Sequence, residues 1–235
     1  MQSLFISDLH LSEDRPAANE RFFAFIEDTG ARADALYVLG DLFEYWIGDD
    51  DLANPFNGVI AGFFRRLTEG GTRLYFMHGN RDFLVADGFA AATGATLLPD
   101  PSVVQGVLLM HGDTLCTDDL DYQKWRDTAR APQWQRTFLG KSLEARRVEV
   151  KGLRERSKQA IEAKPDEIMD VNEDAVREAL RRHNVSRLVH GHTHRPGRHR
   201  VEVDGRPCER WVIPDWYGNG GFVELKDGKL RLERW

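Results

Sequence analysis

Apolar and polar positions along the chain fall into a repeating pattern. Five short apolar runs, Leu4-Phe5-Ile6, Leu36-Tyr37-Val38-Leu39, Leu74-Tyr75-Phe76-Met77, Val107-Leu108-Leu109-Met110 and Leu188-Val189, have no internal polar alternation. Such runs predict strands covered on both faces. Between them, Phe22, Phe23, Phe25 and Ile26 mark one face of a helix ending before Gly30. Ile60, Phe63, Phe64 and Leu67 mark a second helix ending before Gly70-Gly71. Strand and helix in alternation predict an α/β sandwich. Val201, Val203, Trp211-Val212-Ile213 and Phe222-Val223-Glu224-Leu225 predict closing antiparallel strands.

The texture changes between Thr114 and Pro165. This segment has no β-branched runs, but carries Tyr122, Trp125, Trp134 and Phe138 in a dense charge pattern. Lys141 to Lys164 holds eight basic residues against four glutamates. The segment reads as a helical insertion, residues 114–165, in a core made of 1–113 and 166–235. Asp170 and Glu173 have capping-box spacing and predict a following helix through Ala179-Leu180.

Composition sets limits. The 235 residues suffice for one domain with an insertion, and 41% apolar with 30% charged content is ordinary for a globular protein. A formal net charge of −6 argues against a nucleic-acid binder. Two cysteines, Cys116 and Cys208, suggest no disulfide framework. No apolar run approaches the ~20 residues of a membrane span, and the start lacks a signal-peptide layout, so the expected compartment is the cytoplasm.

Each strand run leads into a block of potential metal donors: Asp8-Leu9-His10, Gly40-Asp41, His78-Gly79-Asn80-Arg81-Asp82, His111-Gly112-Asp113 and His190-Gly191-His192-Thr193-His194. Strands side by side bring their C-terminal ends to one sheet edge, so the blocks can converge. On an extended chain Asp8 and His10 would point the same way. Gly40 lets the backbone turn so that the Asp41 carboxylate can approach closely and bridge two metals. Asn80 adds an amide oxygen, and His111, His192 and His194 add imidazoles. A set of carboxylates, imidazoles and an amide without thiolate suits Mn²⁺, Fe²⁺ or Zn²⁺. Two such ions ~3.5–4 Å apart activate water and stabilise both oxygens of an in-line displacement at phosphorus. Arg81 is a bidentate donor suited to a phosphate oxygen.

Other residues have ordinary explanations. Asp82 and Asp113 read as ligand-orienting or turn-capping groups, and His78 as structural; a place near the phosphate stays open for His190. His183 and His199 lie among arginines and read as surface. Asp49-Asp50-Asp51 reads as a solvated turn, and the two cysteines as ordinary thiols. Most aromatics of the insertion read as packing on one another.

The ordered blocks resemble the full signature of the calcineurin-like metallophosphoesterases. That resemblance implies a four-layer αββα sandwich with a dinuclear centre. One metal would take Asp8, His10, Asp41 and His194, and the other Asp41, Asn80, His111 and His192. Intervening segments, above all GDLFEYWIGDD from Gly40 and HGDTLCTDD from His111, are similar to the UDP-2,3-diacylglucosamine diphosphatase family of lipid A synthesis. This closer likeness implies two Mn²⁺ ions and water attack on the α-phosphorus of UDP-2,3-diacylglucosamine, releasing UMP and 2,3-diacylglucosamine 1-phosphate. It implies Asp41, Asn80, Arg81 and His192 at the reaction, and a helical cap that takes the acyl chains. Substrate contacts would come from Asn80, Arg81, Asp119, Tyr122, Ser157, Lys164 and His192, with Lys158 a plausible further one. Ile161 stands where that family often has a polar contact. A lipid-borne substrate implies peripheral association with the anionic inner-membrane surface. No obligate protein partner is evident. The rivals are another dinuclear phosphodiesterase or pyrophosphatase of the superfamily, and a binding scaffold that keeps the fold without catalysis.

Overall fold

A computed structural model describes residues 1–162, 166–218 and 220–235, with side chains of 158–162, 166 and 167 left undescribed. The strands are β1 (Gln2–Ile6), β2 (Ala35–Leu39), β3 (Arg73–Met77), β4 (Thr96–Leu98), β5 (Ser102–Val104), β6 (Val107–Leu109), β7 (Arg187–His190), β8 (Gly197–Val203), β9 (Arg206–Val212), β10 (Gly221–Lys226) and β11 (Lys229–Arg234). The helices are α1 (Pro16–Glu27), α2 (Pro55–Glu69), α3 (Asp87–Thr93), α4 (Leu120–Arg130), α5 (Pro132–Leu139), α6 (Leu143–Glu162) and α7 (Glu173–Arg182).

Two sheets form. One runs β11-β10-β1-β2-β3-β4 and the other β5-β6-β7-β9-β8. β1 to β4 are mutually parallel, as are β6, β7 and β9. Side-chain alternation explains why the central runs are apolar throughout. Leu4, Ile6, Leu36 and Val38 face the helix layer of Phe22, Phe25, Ile60 and Phe64. Phe5, Tyr37 and Leu39 face the opposite sheet, where Val107, Leu109, Val189 and Trp211 meet them. On that sheet's outer side Leu108 and Leu188 pack with Val176 and Leu180 of α7. The result is the αββα sandwich the resemblance implies.

Helices α4 to α6 lie in the chain between β6 and β7. The Asp49-Asp50-Asp51 segment, read from sequence as a solvated turn, is instead their anchor. It forms a 3-10 helix with Asp51 buried. Arg146 of α6 donates to both Asp50 oxygens at 2.7 Å, and Arg147 pairs with Asp51. Asp49 accepts from Trp46 Nε1 and from the backbone N–H groups of Ala86 and Phe89. Asn172, not Asp170, caps α7, accepting from the Asp174 and Ala175 amides. Asp170 instead accepts from Arg195.

Candidate metal centre

The parallel strands end at one edge, and the loops leaving them are laced together by backbone hydrogen bonds. Asp8 N donates to Gly40 O at 3.2 Å, His10 N to Asp41 O at 3.0 Å and Gly191 N to His111 O at 2.8 Å. Trp216 N donates to Asp8 O and Trp46 N to Arg81 O. The loops approach so closely that Gly79 abuts Asp41: a Cβ on Gly79 would collide with the Asp41 carboxylate and backbone.

Asp8 and His10 do not share an extended strand as their spacing suggested. Both lie past the end of β1 with positive φ, 56° and 49°. Asp41 (53°), His192 (68°) and His194 (52°) adopt the same left-handed backbone. Of the nine non-glycine residues with positive φ among those described, five are thus candidate ligands. Such strain concentrates where the surrounding structure aims a functional side chain.

All seven candidate ligands converge. His10 Nε2 lies 4.0 Å from Asp8 Oδ1 and 3.8 Å from Asp41 Oδ2, and His194 Nε2 lies 3.5 Å from Asp8 Oδ1. On the other side of Asp41, His111 Nε2 is 3.9 Å from its Oδ1. Asn80 Oδ1 sits 3.0 Å from His111 Nε2 and 2.9 Å from His192 Nδ1. Asp41 therefore stands between two donor groups, as a bridging carboxylate must.

The site fits divalent cations on its own evidence. Asp8 Oδ1 and both ring nitrogens of His10 are buried without a hydrogen-bond partner, although buried polar atoms normally have one. Carboxylates of Asp8, Asp41, Asp82 and Asp113 are all buried here. Burial pushes the Asp41 carboxyl up, and the negative charges of Asp82 and Asp8 push it further. Burial would lower His111, but Asp41, Asp113 and Asp8 outweigh it and hold the imidazole above its usual range. A buried surplus of negative charge is relieved by a bound cation.

The surrounding residues keep this arrangement in place. Asp82 accepts from the Asp41, Leu42 and Gly79 amides, locking the Asp41 turn. Asp113 accepts from Tyr122 OH at 2.8 Å and Arg126 Nε at 2.7 Å, which docks α4 beside the site. His78 bonds Val85 O, a structural role. His190 is buried, with Nδ1 on Gly191 O and Nε2 taking Arg210 Nη1. Burial and the Arg210 charge push its pKa down to about 3. Cys116 and Cys208 are buried free thiols.

Two cavities open from the site. The more polar one, about 680 Å³, is lined by His10, Asp41, Asp119, His192, His194 and Tyr217 among others. An apolar one of about 540 Å³ lies under the inserted helices, against Trp46, Phe83, Trp125, Trp134, Phe138 and Leu153. They share Asn80, Arg81, Tyr122 and Ser157. Asp119 caps α4, accepting from Tyr122 N. Lys164 lies outside the described residues, as do the side chains of Lys158 and Ile161.

The family model described as Calcineurin-like phosphoesterase matches residues 1–196. The chain is a calcineurin-like phosphoesterase. Within this family it is similar to proteins named UDP-2,3-diacylglucosamine hydrolase. That of Aromatoleum aromaticum is 48% identical over 227 residues, covering 95% of this chain and 92% of that protein. That of Chromohalobacter salexigens is 50% identical over 232 residues, covering 97% and 94%. That of Pseudomonas paraeruginosa is 47% identical over 229 residues, covering 96% and 95%.

In this phosphoesterase three residues near the centre carried no sequence expectation. Tyr217 sets its ring, tilted by 39°, with its centroid 4.9 Å from that of His10 and 5.3 Å from that of His194. Arg15 lies 3.9 Å over the same tyrosine ring. Glu44 approaches His10 Nδ1 at 3.6 Å. Only Glu44 had a usable signal, as the acidic residue three positions after Asp41.

Proposed function

We propose that this phosphoesterase hydrolyses the pyrophosphate bond of UDP-2,3-diacylglucosamine, with water attacking the α-phosphorus and UMP and 2,3-diacylglucosamine 1-phosphate leaving. The meeting of a polar, ligand-lined cavity with an apolar one at Asn80, Arg81, Tyr122 and Ser157 carries this reading. A substrate with a charged diphosphate and two acyl chains needs both compartments joined at the phosphate. Its hydrolysis is the step that the similar curated proteins are named for.

Two divalent cations, Mn²⁺ by the resemblance to the UDP-2,3-diacylglucosamine diphosphatases, would supply Lewis-acid stabilisation and acidify water. Asp8, His10, Asp41 and His194 would hold one, and Asp41, Asn80, His111 and His192 the other. Arg81, whose Nε is buried without a hydrogen-bond partner, binds the phosphate and stabilises its developing charge. Asn80 and His192 orient the same group. Asp119, Tyr122, Ser157 and Lys164 grip the glucosamine end. Residues 114–165 form a cap on a core of 1–113 and 166–235, and the cap's aromatic cavity receives acyl chains, each buried CH₂ contributing about 0.8 kcal/mol.

No helix among the described residues is long and apolar enough to cross a membrane. A cytoplasmic protein meeting its substrate at the inner-membrane surface is supported by apolar side chains exposed on the inserted helices, including Leu120, Trp125, Leu139 and Val148. Co-sedimentation with anionic liposomes at low salt tests this, and no binding there would refute it.

Release of UMP from the diacylated nucleotide sugar, compared with turnover of an aryl phosphate and a cyclic nucleotide, tests the substrate. Activity on the generic esters alone would overturn the assignment.

A further inference from the structure

Glu44 joins the inserted helices to the metal centre. Its side chain is buried, with Oε2 3.6 Å from His10 Nδ1 and Oε1 3.0 Å from Arg154 Nη2 of α6. Tyr217 OH donates to Oε2 at 3.4 Å. His10 turns its other nitrogen, Nε2, toward Asp8 and Asp41. Nδ1 has no hydrogen-bond partner, and Glu44 is the carboxylate that faces it.

A histidine that ligates a cation through one nitrogen commonly donates its other N–H to a carboxylate, which fixes the tautomer and raises ligand basicity. A carboxylate beside Nδ1 favours the Nδ1–H form and leaves the Nε2 lone pair facing Asp8 and Asp41. Glu44 is in turn held by a guanidinium from the inserted helices, and both Glu44 and Arg154 line the apolar cavity. One carboxylate thus lines the apolar cavity and faces a candidate ligand of the metal centre.

We infer that Glu44 is a positioning residue that orients His10 for metal binding, and that Arg154 makes this orientation depend on the seating of α6. The inference rests on the metal reading above and deepens it. Arg154 approaches from the helix that closes the apolar cavity. A change in how that helix sits therefore reaches His10 through a single side chain.

The test is calorimetric Mn²⁺ titration of the chelator-stripped full chain, with turnover measured in parallel. Glu44→Ala should weaken binding to the His10 half of the site about 10–100-fold. Glu44→Gln, which keeps an oxygen able to accept from Nδ1–H, should recover part of that loss. Arg154→Gln should weaken Mn²⁺ binding in the unaltered background and add nothing in the Glu44→Ala background, as expected for residues acting through one link. Circular dichroism must show each variant folded; for a variant that fails this, Glu44→Gln alone decides. Wild-type affinity in the Glu44 variants would overturn the positioning role. Equal Arg154→Gln effects in both backgrounds would overturn the link to α6. Failure of the unaltered chain to bind Mn²⁺ would instead overturn the metal reading itself.

Discussion

Arg146 on α6 and Asp50 in the 3-10 turn form a two-pronged ion pair, with Nη1 and Nη2 each 2.7 Å from a separate carboxylate oxygen. Every remaining donor of this guanidinium is also satisfied, by the carbonyls of Ile47, Leu139 and Lys141. Arg146 is only 4% exposed, whereas the Asp50 side chain is half exposed. The pair fastens the inserted helices to the core at a point remote in sequence, so its loss should loosen them as a unit.

Asp50→Asn should lower stability by about 1–2 kcal/mol near neutral pH, after discounting for solvent at the aspartate. Hydrogen bonding to Arg146 holds the Asp50 carboxyl below its usual range. Its stabilisation is therefore full above the unfolded value of ~3.9 and disappears as pH falls through the lower folded value. Urea unfolding at pH 7 and pH 3 checks this. The gap between wild type and variant should narrow at the acid pH, and a constant gap would contradict it.

Asp41→Ala should remove the carboxylate that stands between the two donor groups, taking metal-dependent turnover to background. Metal content by mass spectrometry should fall with it. Near-normal activity in a folded variant would refute the bridging role.

Gly79→Ala makes the same point without touching a ligand. The new methyl would occupy space held by the Asp41 carboxylate and the Asp41 amide. The variant should stay folded by circular dichroism but bind metal at least ~10-fold more weakly, given how closely such sites depend on ligand geometry.

Arg81→Ala should cost about 1.5–3 kcal/mol of charge-assisted hydrogen bonding to phosphate, roughly a 10–100-fold fall in kcat/KM. Arg81 is not one of the seven candidate ligands, and its backbone N–H, which donates to Asp41 Oδ1, is kept in the variant, so metal content should be unchanged. Loss of metal alongside activity would show that the residue acts structurally.

Trp134 stacks on Phe138 with ring centroids 5.0 Å apart and lines the apolar cavity. Trp134→Ala should raise KM for the diacylated substrate about 10-fold, from lost apolar contact of ~1.4 kcal/mol. Turnover of a short-chain analogue should barely change, and equal effects on both substrates would contradict an acyl cavity.

The sandwich was legible in the sequence because its central strands are covered on both sides. Phe5 and Leu4 both needed to be apolar, one for the opposite sheet and one for the helices. The site was legible because its donors sit just past those strands. Three features were hidden for a common reason: local spacing does not reveal distant partners or backbone handedness. The Asp50 and Asp51 carboxylates meet arginines 96 residues away. Glu44 gains its meaning from Arg154, again from a distant helix. The Asp8-x-His10 spacing suggested a strand, whereas both residues turn left-handed to reach the cluster. At α7, Asp170 offered the right spacing, but Asn172 lay closer to the first turn and took the cap.

The left-handed turns carrying Asp8, His10, Asp41, His192 and His194 are held by amide-to-carbonyl bonds between loops and by the Gly79 contact with Asp41. These supports come from the chain alone, unlike those of small zinc domains, which fold only when the ion arrives. Chelation should therefore strip the centre without unfolding the sandwich. One batch of protein can then be reloaded with Mn²⁺, Co²⁺ or Zn²⁺ in turn, so that differences in rate report the ion rather than the fold.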